Sequence, residues 1–150
     1  LYAGLMITNE GLKVIEFNVR FADPETQAVL PMIEIDLADL LDAAAHGELL
    51  PGEVSVKDGY CACVVMASGG YPFSYEKGIP IFGLNDIKDA TVFHAGTRKN
   101  DDGIVTSGGR VLSVVATGNS LDDALDKAYR ELEKIDFEKV YFRKDIGRTV

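Results

Sequence analysis

Glu16, Asn18 and Arg20 alternate with Phe17 and Val19 in the stretch Val14-Ile-Glu-Phe-Asn-Val-Arg20. The apolar residues Val14, Ile15, Phe17 and Val19 predict a strand, and side chains two apart on a strand share a face, so the three polar groups are expected in a row. Glutamate and asparagine offer hard oxygen donors that suit Mg²⁺ or Mn²⁺; Mg²⁺ in particular keeps several waters and is usually held by one or two protein oxygens plus substrate phosphates. Arg20 follows with a planar fork of donors matched to a phosphoryl or acyl-phosphate oxygen. A solvated edge strand would show the same alternation. The continuation adds chemistry: Asp23-Pro24-Glu25 places two carboxylates at a turn where Pro24 fixes φ, and Thr26-Gln27 then opens a helix. Charges of both signs therefore converge at one strand end.

A second set of candidates lies further along. Ser68-Gly-Gly-Tyr-Pro72 and Ser107-Gly-Gly-Arg110 read, on composition, as ordinary turns, because glycine is the usual residue for positive φ. Glycine backbone also lets N–H groups approach a phosphate or a sugar closely. Arg110 and the Arg143-Lys144 pair are basic points in an acidic chain. Cys61 and Cys63 share one face of an apolar strand, are poorly placed to bond each other, and do not form a zinc pattern with only two histidines present, so they read as reduced core thiols. His46, at a helix end, and His94, within a strand, are assigned no chemistry.

The elements that must carry these residues are legible in outline. Leu1 to Ile7 and Leu12 to Asn18 predict a hairpin turned at Thr8-Asn-Glu-Gly11. Thr26 to Ile35 predicts a helix interrupted by Pro31, and Asp36 caps a second helix through about Ala45 with Leu37, Leu40, Leu41 and Ala44 as its buried stripe. Glu48 to Glu53 combines Pro51 and Gly52 and reads as a linker. Strands are then expected over Tyr60 to Ala67, Thr91 to Gly96 and Arg110 to Thr117, with turns at Gly69-Gly70, Asn100-Asp-Asp-Gly103 and Ser107-Gly-Gly109. Ser120 caps a last helix with Asp123 in the reciprocal position and Leu121, Ala124, Leu125, Ala128, Leu132 and Ile135 on its apolar face. Lys139 to Arg143 closes as a strand. The architecture expected is α+β, with one unit over residues 1–50 and a mainly antiparallel β unit closed by a helix over 51–150.

The chain has 150 residues, 47% of them hydrophobic, and a net charge of −9. That charge opposes nucleic acid and anionic membrane surfaces as partners, and no apolar run reaches the ~20 residues that span a bilayer. A cytoplasmic protein is expected. The chain opens on Leu1 in strand-like sequence, which leads to the expectation of a piece of a longer polypeptide.

The run Glu16-Phe-Asn-Val-Arg-Phe-Ala-Asp-Pro-Glu-Thr-Gln27 resembles the metal-binding motif of ATP-grasp ligases as carried by the phosphoribosylamine–glycine ligase family. Val65 to Pro72, Val92 to Thr97, Ser107 to Leu112 and Tyr141 to Gly147 resemble the C-terminal third of that family in the same order. The resemblance implies that residues 1–50 end an ATP-grasp domain, whose missing N-terminal body would be a partner, and that 51–150 form the C-terminal ligase domain. It implies ATP, glycine and 5-phosphoribosylamine as substrates and glycinamide ribonucleotide as product, through a glycyl phosphate. Glu16 and Asn18 would be metal ligands, and Arg20, Asp23 and Glu25 catalytic. Gly69, Gly70, Tyr71, Pro72, Gly109, Arg110 and Lys144 would meet substrate. Many ATP-grasp enzymes carry a further metal-binding Glu on the first strand, where this chain has Gly4. Two alternatives stand beside this reading: another ATP-grasp ligase or carboxylase, and a non-catalytic packing or dimerisation module. The second gains force because no Gly-rich loop or lysine-bearing lid for ATP is found in these residues, so the chain alone should be inactive.

Overall fold

A computed structural model describes residues 1–49 and 54–148. Strand β1 (Tyr2–Thr8) pairs antiparallel with β2 (Gly11–Asn18), and Gly11 closes the turn with φ of 102° while Thr8 Oγ1 donates to its carbonyl at 2.9 Å. Gly4 faces Glu16 and Leu5 faces Val14, so Ile15 is the extra residue of a bulge just ahead of the polar row. The strand stops at Asn18 and Arg20 lies in the bend beyond it, which corrects the expectation of three polar groups in one row. Helix α1 (Glu25–Val29) gives way to a 3-10 turn over Leu30–Met32, as Pro31 requires. Helix α2 (Leu37–His46) starts where the Asp36 carboxylate accepts from the Ala38 N–H at 2.8 Å and stops at Gly47, whose φ is 73°. Its apolar stripe has no buried member: Leu37 and Leu40 are half-buried and Leu41 and Ala44 exposed, because α1 rather than α2 lies on the neighbouring sheet. The expected linker falls partly at 50–53, outside the described residues.

The larger unit is an antiparallel sheet in the order β4-β7-β3-β8, formed by β3 (Tyr60–Ser68), β4 (Thr91–His94), β7 (Arg110–Gly118) and β8 (Val140–Phe142). Helix α3 (Leu121–Leu132) covers one face. There Val64, Met66, Leu112 and Val114 meet Ala124, Leu125, Ala128 and Leu132, with Ile135 and Phe137 closing the end. Leu121, the first residue of the helix, is exposed and outside this core. Residues 97–106 form a separate hairpin, β5 (Thr97–Asn100) with β6 (Gly103–Thr106), where only its turn had been expected. Ser120 accepts from the Asp123 N–H at 3.1 Å, but the Asp123 carboxylate reaches back to Asn119 rather than to Ser120.

The opposite sheet face receives α1 and the 3-10 turn, which pack on β3. Cys61 and Cys63 point to this side and are only half-buried, so they lie outside the core; strand alternation gave the core face to Ala62, Val64 and Met66. Both remain free thiols. Burial pushes the Cys63 thiol up to about 11 despite a hydrogen bond with Ser113, and burial also raises Cys61, so neither is a ready nucleophile. Among the described residues no helix is long and apolar enough to cross a membrane.

Candidate active site

The β2 strand end brings two candidate metal ligands together. Asn18 Nδ2 donates to Glu16 Oε1 at 3.0 Å, and Glu16 is exposed while Asn18 is half-buried. Rotating the Asn18 amide would set its oxygen beside the carboxylate, giving a pair of hard donors open to solvent, which fits a hard divalent ion. Among the described residues no group of three or more His, Cys, Asp or Glu side chains could hold a metal, so such an ion would draw its other oxygens from elsewhere. Gly4 is part of this arrangement: a methyl there would stand 3.2 Å from Glu16 Cγ. The residue across the hairpin is small where the Glu16 side chain passes.

Beyond the strand the turn sorts its charges to two sides. Arg20 and Glu25 line one cleft of about 450 Å³ together with Tyr2, Phe21, Val29 and Leu41, and Arg20 Nη1 donates to the Phe21 carbonyl at 3.2 Å. Asp23 faces the other way. Its Oδ2 accepts from Arg110 Nη2 at 2.9 Å, its backbone carbonyl accepts from Arg110 Nη1 at 3.2 Å, and its Oδ1 accepts from Gln27 Nε2 at 3.0 Å. Both oxygens of this carboxylate are thus engaged within the protein. Gln27 Oε1 is buried without a hydrogen-bond partner among the described residues. Thr26 ties the turn further, its amide and hydroxyl both donating to the Ala22 carbonyl.

Arg110 opens β7 beside a second cleft of about 270 Å³, whose walls are Pro24, Cys63, Val65, Tyr71, Tyr141 and Arg143. The glycine loops converge at its rim. Ser68 donates from its amide to the Gly109 carbonyl at 2.8 Å and from its hydroxyl to the Gly108 carbonyl at 2.9 Å. A Cβ on Gly109 would lie 2.1 Å from the Tyr71 ring, and one on Gly70, whose φ is 94°, 2.1 Å from the Ser74 carbonyl oxygen. These glycines therefore let the two loops and Tyr71 stack without a gap. Gly69 borders a third, polar cleft with Ser74, Glu76 and Lys139, and Pro72 stays on the exposed outside of its loop.

Lys144 is exposed and outside these clefts, whereas Tyr141 and Arg143 line one. The sequence held a signal for this: Tyr141 and Arg143 share strand parity, and Val140 and Phe142, of the opposite parity, pack on the core. Arg143 is held by Asp145 through two bonds of 2.9 and 2.7 Å. His94 contacts Thr97 Oγ1 at 3.0 Å and His46 the Asp42 carbonyl at 2.9 Å, both at exposed positions.

Comparison with known proteins gives this geometry a family context. The family described as Phosphoribosylglycinamide synthetase, C domain, matches residues 61–149, and Phosphoribosylglycinamide synthetase, ATP-grasp (A) domain, matches residues 1–26. The chain is 53% identical over 147 residues to a phosphoribosylamine–glycine ligase of Caldanaerobacter subterraneus subsp. tengcongensis, covering 98% of the chain and 35% of the relative. It is 51% identical over 150 residues to that of Chlorobaculum tepidum, with the same coverage. The crystal structure of phosphoribosylamine–glycine ligase from Thermotoga maritima superposes with a TM-score of 0.77 at 33% identity, covering 95% of this chain and 35% of that one. The chain thus spans about a third of the length of the relatives it matches.

Proposed function

The chain belongs to the phosphoribosylglycinamide synthetase family, and from that premise we propose that it forms the end of the ATP-grasp domain and the C-terminal domain of an ATP-dependent ligase. The enzyme would join glycine to 5-phosphoribosylamine and give glycinamide ribonucleotide for purine synthesis. The observation that carries this reading is the junction of the two family matches: Asp23, near the end of the first, is bonded to Arg110 in the second.

In this reading a glycine carboxylate oxygen takes the γ-phosphoryl group of ATP, with ADP leaving. The amine nitrogen of phosphoribosylamine then attacks the carbonyl carbon of the glycyl phosphate, phosphate departs with the bonding pair, and the nitrogen loses a proton. Such a sequence is mostly positioning and charge neutralisation. Glu16 and Asn18 would hold Mg²⁺ or Mn²⁺, which when bound neutralises phosphate charge. Arg20, at the mouth of the cleft it shares with Glu25, steadies the transferred group through its donor fork. Glu25, in the same cleft, receives a substrate amine. Asp23, with its oxygens engaged, contributes through the turn it shapes. The loops of Gly69 to Pro72 and Gly109 face the sugar phosphate, and Lys144 adds positive charge near the Arg143 side.

The test is ADP release by the full-length protein. Release that requires both glycine and phosphoribosylamine supports the reading. Release with bicarbonate in place of glycine would assign a carboxylase instead, and no release with any acid would leave a packing module.

A further inference from the structure

Arg110 joins residues 87 positions apart in sequence by two bonds that reach different parts of Asp23, its carboxylate and its own backbone carbonyl. A guanidinium that meets one residue at both backbone and side chain fixes orientation as well as distance, because its donors lie in one plane. The arginine is itself firmly seated: its carbonyl accepts from the Gly96 N–H at 2.8 Å, and it pairs with Ala67 at the irregular end of the β3 and β7 ladder. On the far side Gln27 takes the other Asp23 oxygen, and Thr26 ties back to Ala22. The segment Ala22 to Gln27 is therefore clamped from both ends, with Glu25 between the clamps and turned into the cleft of Arg20.

The ion pair is a poor device for stability. Its side chains are 41% and 54% exposed, and exposed pairs contribute little to folding. Placement is a different matter, since a misplacement of about 1 Å at a reacting centre costs on the order of 100-fold in rate.

We infer that Arg110 is a positioning residue, which acts through Asp23 to hold the Ala22 to Gln27 turn and so aims Glu25 at the reacting groups. This inference rests on the ligase reading above. In the full-length enzyme, Arg110→Ala is expected to lower kcat about 10- to 100-fold, with KM for ATP, glycine and phosphoribosylamine each within about twofold and the thermal midpoint nearly unchanged. Asp23→Ala is expected to do the same, and the double variant to lose no more than either single one. Arg110→Lys, which keeps one of the two contacts, should recover part of kcat. Amide hydrogen exchange over Ala22 to Gln27 should quicken in Arg110→Ala and in Asp23→Ala. A raised KM for phosphoribosylamine with kcat kept would show that Arg110 touches the substrate, and would overturn the inference. So would single losses that multiply in the double variant, or unchanged exchange in the turn. If the wild-type enzyme ligates nothing, the functional reading falls; if it ligates and Arg110→Ala keeps its kcat, only the positioning role falls.

Discussion

Glu16 and Gly4 form a pair whose roles are separable by substitution. Glu16→Gln in the full-length enzyme keeps shape and loses the charge that attracts a divalent ion, so it should lose most turnover while its thermal midpoint holds. Gly4→Ala acts indirectly. Its methyl would press on Glu16 Cγ from 3.2 Å, and because the exposed Glu16 side chain is free to turn aside, folding should be spared. The expected result is a metal titration shifted several-fold to higher concentration, with kcat restored at saturation. An unshifted titration would show that Glu16 does not need the room Gly4 leaves. The alternation that sets Glu16 and Asn18 on one face was readable from residue types, but the reason for glycine at position 4 was not, because it depends on the register across the hairpin.

Helix α3 carries a buried charge that no pattern announced. Glu131 is 1% exposed, and its carboxylate accepts from Lys134 Nζ at 2.7 Å and from the Lys88 N–H at 2.8 Å. Hydrogen bonds from Lys134 and from the Lys88 and Asp89 backbone hold its carboxyl down from the ordinary 4.5 to about 2. A depressed carboxylate contributes stability that is fully present above about 4.5. As pH falls toward about 2, the unfolded chain takes the proton first and that contribution is lost. Glu131→Gln should therefore melt lower than wild type at pH 7, and the two melting curves should converge as the pH is lowered through this window. Parallel curves would mean that the group does not link folding to protons. The helix was legible from Ser120 and the apolar spacing; Glu131, read locally, is only one more charge on an amphipathic helix. The loop it anchors, through Lys88 and through Lys134 to the Asp86 carbonyl, lies more than forty residues earlier in the chain. Likewise β5 and β6 escaped notice because their four-residue strands include Arg98 and Lys99, while their turn at Asn100 to Gly103 was plain.

Across the molecule, apolar burial is uneven. The β3 and β7 sheet and α3 share a closed core, whereas Leu5, Met6, Leu12, Val14, Ile15 and Phe17 of the hairpin are each more than half exposed. An apolar surface of this extent fits a hairpin that packs against a further protein surface. Supplied with ATP, glycine, phosphoribosylamine and Mg²⁺, the 150-residue chain alone should release no ADP, and the full-length protein should release it. Turnover by the chain alone would place a complete nucleotide site within it and would require a new reading.

Residue types and short spacings established the α+β class, the interrupted first helix, the caps at Asp36 and Ser120, and the acidic turn after a polar strand. Each of these rests on interactions between neighbours a few positions apart, which propensity and alternation report directly. The grip of Arg110 on Asp23 and the division of Arg20 and Glu25 from Asp23 depended on the sheet order β4-β7-β3-β8 and on α1 crossing its open face. Strand order is a property of long-range packing, in which burial and backbone pairing across the fold outweigh any local preference, so no window of the sequence contained it.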